Sequence, residues 1–315
     1  MTRFTSRGVK ALATNTGSPS VPPDRDPAAA AMRAGRTALA TGAALVAFAA
    51  NSLLCRVALA TGAIDPAAFT ALRLVSGAAM LWLLVSIRTD TPALRLPGTW
   101  ASAAALFAYA APFSFAYVTL GAGTGALILF AAVQVTMILT GVVSGERPTG
   151  VQWAGLALAV GGLVGLVSPG LSAPAPVGAV LMVLAGVSWG IYSLRGRSVA
   201  DPMAATAGNF VRSTPLVLVF VVLLLPTLSL SPVGVMWALL SGAVTSGLGY
   251  VVWYEAVRGL SATRAAIVQL AAPVLAAVGG VVLLAETISL RLLLSGAAIL
   301  GGVALAMVSR ERRRT

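Results

Sequence analysis

Three side-chain amides lie in the middle of long apolar stretches of this sequence. They belong to Asn51, Gln134 and Gln269. A polar group inside a lipid bilayer is costly unless it faces protein or water, so each amide is a candidate binding group. An amide both donates and accepts hydrogen bonds, which would suit the ammonium and the carboxylate of a zwitterion. Hydrogen bonds between neighbouring helices would satisfy the same groups equally well, and both roles stay open at this point.

Aromatic residues at helical spacing occur in several of the same stretches. Tyr109, Phe113 and Tyr117 follow one another four residues apart, which places three rings on one face of a helix. Such rings could bind apolar groups by stacking and cations by cation–π contact, or they could face lipid instead. We predict that the amides and the deeper rings line a cavity; the set is Asn51, Tyr109, Phe113, Gln134, Trp189, Tyr250, Trp253 and Gln269.

Charged side chains inside the apolar stretches are few. Arg73 and Arg212 could each hold a substrate carboxylate with two hydrogen bonds, or could tie their helices to backbone carbonyls of a neighbour. Glu255 is the only carboxylate in a predicted membrane span and is the candidate for proton coupling, although an ion pair with Arg258 one turn later is the simpler interpretation. Arg56 lies near a helix end, where we expect it to extend to the lipid headgroups.

The numbers of histidine and cysteine residues exclude several kinds of site. The sequence has no histidine and a single cysteine, Cys55. Intrachain disulfides, zinc sites of the Cys/His kind, His-ligated haem and His-containing catalytic triads are therefore ruled out. A membrane-embedded enzyme acting on lipids would need clustered His, Asp or Glu, and with nine acidic residues in the chain it is a remote alternative. We predict no catalytic residue, no cofactor and no metal site.

Ten apolar blocks hold these side chains, most of them roughly 18–25 residues long and thus able to cross a bilayer core. The blocks are Thr37–Ala60, Ala67–Ile87, Thr99–Leu120, Thr124–Ser144, Val151–Val167, Val177–Leu194, Met203–Leu225, Val233–Val257, Ala262–Leu284 and Leu290–Val308. They predict an all-α integral membrane protein with ten transmembrane helices. A disordered cytoplasmic segment, 1–36, would precede the first helix, and a basic cytoplasmic tail, 309–315, would follow the last; Met32 is an alternative start of translation.

The chain carries a formal net charge of +12. In a soluble protein this charge would suggest nucleic-acid binding, but here the basic residues are spread over loops instead of one face. Most of them share one side of the membrane with both termini, in agreement with the excess of Lys and Arg in cytoplasmic loops. We therefore predict a multi-pass protein of the bacterial inner membrane, with both termini in the cytoplasm and no nucleic-acid partner.

The second half of the chain repeats the first. Charged and proline positions recur at shifts of 136 to 140 residues. The matched positions are Arg73 with Arg212, Glu146 with Glu286, and Asp65-Pro66 with Asp201-Pro202. Each half, 37–168 and 177–308, holds five predicted helices, so the second half must enter the bilayer inverted. Such inverted-topology repeats are typical of secondary transporters, which bind substrate near the midplane between the halves.

The repeat also carries a family resemblance. The segments AFTALRL, GERPTGVQWAGLALAVGGLVGL and AETISLRLLLSGAAILGGVALA resemble the EamA-type drug/metabolite transporter superfamily over residues 37–308. Within that superfamily the chain is most similar to the YddG-type exporters of aromatic amino acids and paraquat-like compounds. The resemblance implies an alternating-access carrier whose cavity is lined by the first, third, fourth, sixth, eighth and ninth helices. It places the second and seventh helices beside the cavity, which favours a structural role for Arg73 and Arg212.

These observations predict an alternating-access secondary transporter that exports small metabolites, amino acids with aromatic or hydrophobic side chains first among them. Its partners would be a small-molecule substrate and the lipid bilayer, and it would act as a monomer or a homodimer. The alternative is a proton-coupled efflux pump for cationic drugs, which would need an acid in the cavity. A channel is a third class, but nothing in the sequence resembles a selectivity ring. Because an ion pair with Arg258 is the simpler interpretation of Glu255, a facilitator driven by the substrate gradient is as plausible as a proton antiporter.

Overall fold

The structure is a computed structural model that describes residues 27–89, 96–145, 147–170, 172–196, 199–260 and 262–311. These residues are almost entirely helical. The helices are α1 (Pro27–Ala60), α2 (Pro66–Arg88), α3 (Trp100–Tyr117), α4 (Ala122–Val143), α5 (Gly150–Val167), α6 (Pro176–Gly196), α7 (Pro202–Leu223), α8 (Pro232–Arg258), α9 (Ala262–Gln269 and Ala271–Leu284) and α10 (Leu290–Glu311). Among them, nine are long and apolar enough to cross a membrane, and α3, whose serines, tyrosines and proline lower its hydropathy, is the tenth. The predicted all-α membrane fold is confirmed.

The ends of the chain differ from the prediction where the structure describes them. α1 begins at Pro27, so residues 27–36, expected in the disordered segment, are helical. Proline is favoured in the first turn of a helix and the alanines after it have the highest helix propensity, which explains this early start. Residues 1–26, the last residues of the predicted basic tail (312–315) and Glu146 lie outside the described residues.

The two Asp-Pro pairs start the second helix of each half. The Asp65 carboxylate accepts hydrogen bonds from the backbone N–H groups of Ala67 and Ala68, at 2.9 and 3.0 Å. Asp201 accepts one from Ala204 at 3.1 Å. In both helices the proline follows at the first position, where its missing N–H is not needed. The recurring dipeptide is thus a helix N-cap in each half.

Helix contacts repeat between the halves as a two-fold relation requires. α2, α4 and α5 each pack against their own counterparts α7, α9 and α10. The contact of α1 with α8 recurs as the contact of α6 with α3, and that of α4 with α6 recurs as that of α9 with α1. Glycines allow the closest of these crossings; a Cβ at Gly155 of α5 would lie 2.5 Å from the Gly302 carbonyl oxygen of α10. The structure therefore consists of two five-helix, inverted-topology repeats.

Two helices of the second half are irregular, which the sequence pattern did not predict. α8 contains a π-helical segment, Leu240–Leu248, and α9 is interrupted at Leu270. The interruption has a local cause, since Pro273 has no N–H to donate to the Gln269 carbonyl four residues earlier. At the π-helical segment, a Cβ added at Gly242 would collide with the Arg73 carbonyl oxygen of α2, so only glycine allows this approach. Both irregular segments border the cavity described next.

Candidate functional site

A small cavity lies between the two halves of the helix bundle. It is lined by residues of α1, α3, α4, α6, α8 and α9, the six helices that the family resemblance implies. The lining residues are Phe48, Asn51, Ser52, Tyr109, Phe113, Leu129, Phe130, Trp189, Thr245, Ser246, Tyr250 and Gln269. Its volume is about 40 Å³, which holds a few water molecules at roughly 10–15 Å³ each and no amino acid. The site is therefore contracted, and a larger ligand requires side chains or helices to move apart.

A second, larger opening has different chemistry. It is a groove of about 510 Å³ between α4, α5 and α6, lined by aliphatic side chains and two threonines. A surface of this kind is what helices present to lipid tails. Because it offers no charged group and few polar ones, we take the cavity between the halves as the candidate site.

Six of the eight residues predicted to line a cavity do so, and two do not. Asn51, Tyr109, Phe113, Trp189, Tyr250 and Gln269 are brought together at its wall. Gln134 is buried in α4 but is not a lining residue. Trp253 is not a lining residue; it packs edge-on against the ring of Phe48, which is one, with the ring centres 5.5 Å apart. All eight residues lie on helices that border the cavity, but the spacing did not show which face of each helix borders it.

Aromatic rings form one side of the cavity. The Trp189 ring lies nearly parallel to the Tyr250 ring, at 17° and 5.5 Å between centres, and stacks on Tyr192 at 5.3 Å. The Tyr109 ring is 4.8 Å from Trp189 and tilted by 49°. Offset and tilted pairs at these distances are the favourable geometries for aromatic side chains. Trp189 is thus held by three neighbouring rings, and together they give this side of the cavity an apolar wall.

Asn51 is the best-defined polar group of the wall. Its Oδ1 atom accepts hydrogen bonds from Ser241 Oγ at 2.8 Å and from Thr245 Oγ1 at 3.2 Å. Both donors belong to the π-helical segment of α8, which positions them over α1. The amide nitrogen of Asn51 bonds to the Tyr109 side chain, and its second N–H can only donate.

Arg73 lies behind this wall. The residue is 2% exposed, and its Nη2 donates to the Tyr109 hydroxyl at 2.8 Å while its Nε donates to Ser246 Oγ at 3.4 Å. Its guanidinium carbon is 4.8 Å from the Phe113 ring centre and 5.2 Å from that of Tyr109. Its Nη1 is buried with no hydrogen-bond partner. Among the described residues, the hydrogen bonds of Arg73 therefore go to side chains that line the cavity and to no backbone carbonyl.

Arg212, the counterpart of Arg73 in the second half, bonds to backbone carbonyls, which is the structural role that we expected of both arginines. Its Nη1 donates to the carbonyl oxygens of Leu96 and Gly208, each at 3.1 Å. Leu96 belongs to the connection between α2 and α3, which Arg212 thereby fixes to α7. The expectation that both arginines bond to carbonyls holds for Arg212 alone, so the two repeat-related residues have different surroundings.

Glu255 lies apart from the cavity. Its side chain is 44% exposed and pairs with Arg258 at 3.2 Å, the ion pair that the spacing of three residues indicates. It also pairs with Arg36 of α1 at 3.4 Å. Exposed pairs of this kind contribute little to stability. Its position gives no support to a role in proton coupling.

Arg56 does not extend to the lipid headgroups as expected. Its Nε forms an ion pair with Glu286 Oε1 at 3.0 Å, and its Nη1 donates to the carbonyl oxygens of Tyr117 and Val118, each at 3.1 Å. The Glu286 carboxylate also accepts from the Ala122 N–H at the start of α4, at 2.8 Å. The pair thus joins α1, α3 and α4 of the first half to the α9–α10 connection of the second. It lies at one end of the bundle, one helical turn beyond Ser52 of the cavity.

Sequence reasoning missed several lining residues. Phe48 was detectable, because it precedes Asn51 by three residues on the same helix face, and Ser52 follows Phe48 by four. Thr245 and Ser246 also line the cavity, and both belong to the π-helical segment of α8. No sequence pattern signals such a local change of helical pitch.

The profile of the EamA-like transporter family matches residues 36–168 and again residues 176–308. An uncharacterized protein of Pseudomonas aeruginosa is 52% identical over 278 residues, which cover 88% of this chain and 96% of that protein. A solved crystal structure of another protein aligns with a TM-score of 0.63 at 22% identity, over 88% of this chain and 98% of that one. That likeness concerns the fold alone. The matches agree in covering both halves of the chain.

Proposed function

This chain belongs to the EamA-like transporter family, and on that basis we propose that it is an alternating-access carrier that exports amino acids with aromatic or hydrophobic side chains. The observation that carries the proposal is the composition of the cavity, where stacked rings face polar donors at the boundary between two inverted repeats. We propose transport and no enzymatic activity for this membrane protein.

The chemistry of the wall supports an amphipathic substrate. Tyr109 of the first half and Trp189 and Tyr250 of the second provide apolar ring surface. Asn51 of the first half and Gln269 of the second provide amides within the same cavity. An apolar side chain can stack on the rings while the charged end groups of an amino acid meet the polar side. Because both kinds of group come from helices of both halves, a movement of one half against the other would assemble or separate the site.

The contracted cavity and the Arg56–Glu286 pair support alternating access. A site too small for its substrate must widen before the substrate binds, as a movement of the two halves would allow. The ion pair joins the two halves next to the cavity, so it must break or move before that end can open. We propose that this pair closes one side of the site. The site lies within one chain, so a monomer suffices for transport and a homodimer is not required.

The cationic-drug alternative receives less support. A proton-coupled pump for cations needs an acidic group that can exchange a proton for the cation, and none of the lining residues is acidic. Glu255, the candidate from the sequence, is exposed and already paired with two arginines. We therefore favour a carrier of amino acids, driven by the substrate's own gradient or by an ion that this acid does not bind.

We also propose that the protein lies in the bacterial inner membrane with both termini cytoplasmic, because the basic residues collect in the loops that would then lie inside. The Arg56–Glu286 end is the outer end under this orientation. Reporter fusions should show cytoplasmic activity at both termini and in the loop after Arg195, and periplasmic activity in the loop Pro226–Pro232. A periplasmic C-terminus would contradict the proposed orientation.

Uptake into proteoliposomes tests the function. A labelled panel of amino acids, from glycine to phenylalanine and tryptophan, should enter liposomes that contain the protein faster than empty ones, with rates that rise with the apolar area of the side chain. Repeating the assay with and without a pH gradient separates a proton antiporter from a facilitator. A panel in which no amino acid enters, while a quaternary ammonium dye does, would replace this proposal with drug efflux.

A further inference from the structure

The buried charge of Arg73 has no acidic partner among the described residues. The described ion pairs join Arg36 and Arg258 to Glu255, and Arg56 to Glu286. Arg73 has instead two hydroxyl acceptors, two aromatic rings and one buried nitrogen, Nη1, with no acceptor. Rings attract a cation but accept no strong hydrogen bond. A guanidinium keeps its charge at every physiological pH, so this is a permanent, incompletely compensated positive charge inside the membrane.

We propose that Arg73, acting through Tyr109 and Ser246, makes the cavity specific for a substrate carboxylate. This inference rests on the proposed function and adds to it the chemical group that the site requires. It assigns Arg73 a role in specificity, whereas its counterpart Arg212, whose hydrogen bonds go to backbone carbonyls, has a structural one.

The hydrogen bonds of Arg73 set the direction of its two hydroxyl partners. Tyr109 Oη and Ser246 Oγ each accept from the guanidinium, at 2.8 and 3.4 Å, so the proton of each hydroxyl is left to donate elsewhere. Both residues line the cavity. A carboxylate there would accept from hydroxyls that are polarised by a cation, and bonds to charged groups are shorter and stronger than neutral ones.

The remaining polar wall agrees with an anionic group. The Oδ1 atom of Asn51 already accepts from Ser241 and Thr245, and its amide nitrogen, which bonds to the Tyr109 side chain, carries a second N–H that can only donate. A wall of donors beside a fixed positive charge attracts an anion and repels an ammonium. The ammonium of an amino acid would then lie on the side of the cavity away from Arg73, toward the rings or Gln269.

Ligands that share a phenyl ring and differ in their carboxylate and amino groups test the proposal. The measurement is the concentration-dependent rise in unfolding temperature of the purified protein with phenylalanine, phenylalaninamide, 3-phenylpropanoate and phenethylamine. For the unmutated chain we expect phenylalanine and 3-phenylpropanoate to bind about 10- to 100-fold more tightly than the two ligands without a carboxylate. Arg73→Gln should reduce this ratio to near one, and Arg73→Lys should restore part of it.

Two further variants separate specificity from folding. Tyr109→Phe keeps the ring and removes the hydroxyl, so it should weaken phenylalanine about tenfold and leave phenethylamine unchanged. Arg212→Gln, the matched control, should lower the unfolding temperature of the free protein without changing the ratio. If Arg73→Gln does not fold, Tyr109→Phe still decides the question.

The outcomes distinguish this inference from the proposed function. If phenethylamine binds the unmutated chain as tightly as phenylalanine, or if the ratio survives in Arg73→Gln or Tyr109→Phe, carboxylate selection by Arg73 is wrong and an amino acid carrier still stands. If none of the four ligands binds, the proposed function itself fails.

Discussion

Replacing Trp189 by alanine should weaken binding of phenylalanine and tryptophan by about 5- to 150-fold, equivalent to about 1–3 kcal/mol of lost burial and stacking. The Trp189 ring lines the cavity and stacks on Tyr250 and Tyr192, so its removal takes away the apolar surface that a large side chain would cover. Glycine has no side chain to stack and should lose little affinity. The measurement is competition by amino acids of graded size against one labelled substrate.

The controls for Trp189 are chosen to separate binding from packing. Trp189→Phe keeps a ring and should retain most of the affinity for phenylalanine. Trp82→Ala removes a tryptophan of α2 that is 42% exposed and lies outside the cavity, and it should leave the competition series unchanged. If Trp189→Ala weakens every competitor by the same factor, glycine included, the residue acts only in packing.

Glu286→Ala should open the outer end of the carrier. The Glu286 carboxylate binds Arg56 and the N-terminus of α4, and both side chains are only 20–23% exposed. A double-mutant cycle of Arg56→Ala and Glu286→Ala should give a coupling energy of about 1–3 kcal/mol in protein stability. If the pair holds the outer side closed, the same energy shifts the closed-to-open equilibrium by about 5- to 150-fold.

The opening can be measured directly at Ser52, which lies in the cavity one turn before Arg56. A cysteine at that position, in a background with Cys55→Ser, should react faster with a membrane-impermeant thiol reagent added outside when Glu286 is alanine. Glu255→Ala, which breaks the exposed pairs at the other end, is the control and should not change the rate. Loss of stability in Glu286→Ala without faster labelling would show that the pair stabilises the fold and does not gate it.

The architecture could be predicted from the sequence because its cause is local and repeated. A bilayer admits only helices or closed barrels, so ten apolar blocks of sufficient length already imply ten helices. The recurring Asp65-Pro66 and Asp201-Pro202 pairs are N-caps in both halves, for a reason contained in the dipeptide itself.

The site was predicted only in part, because its details depend on contacts between distant segments. Arg73 and Arg212 occupy equivalent positions, yet only Arg212 meets the Leu96 carbonyl, which belongs to a connection between helices and not to the repeated core. Arg56 and Glu286 are 230 residues apart, and nothing near either one indicates the other. The π-helical segment includes Gly242, whose close approach to α2 involves residues far away in the sequence. Periodicity describes one helix at a time and contains none of this information.

The central claim is that one cavity serves both sides of the membrane in turn, and counterflow tests it most directly. Proteoliposomes that contain the protein are loaded with unlabelled phenylalanine and diluted into a trace of labelled phenylalanine. An alternating-access carrier should accumulate label transiently above its equilibrium level, because each outward passage of unlabelled substrate returns the site for inward binding of label. A rise to equilibrium without an overshoot, at the same rate in loaded and empty liposomes, would contradict the claim.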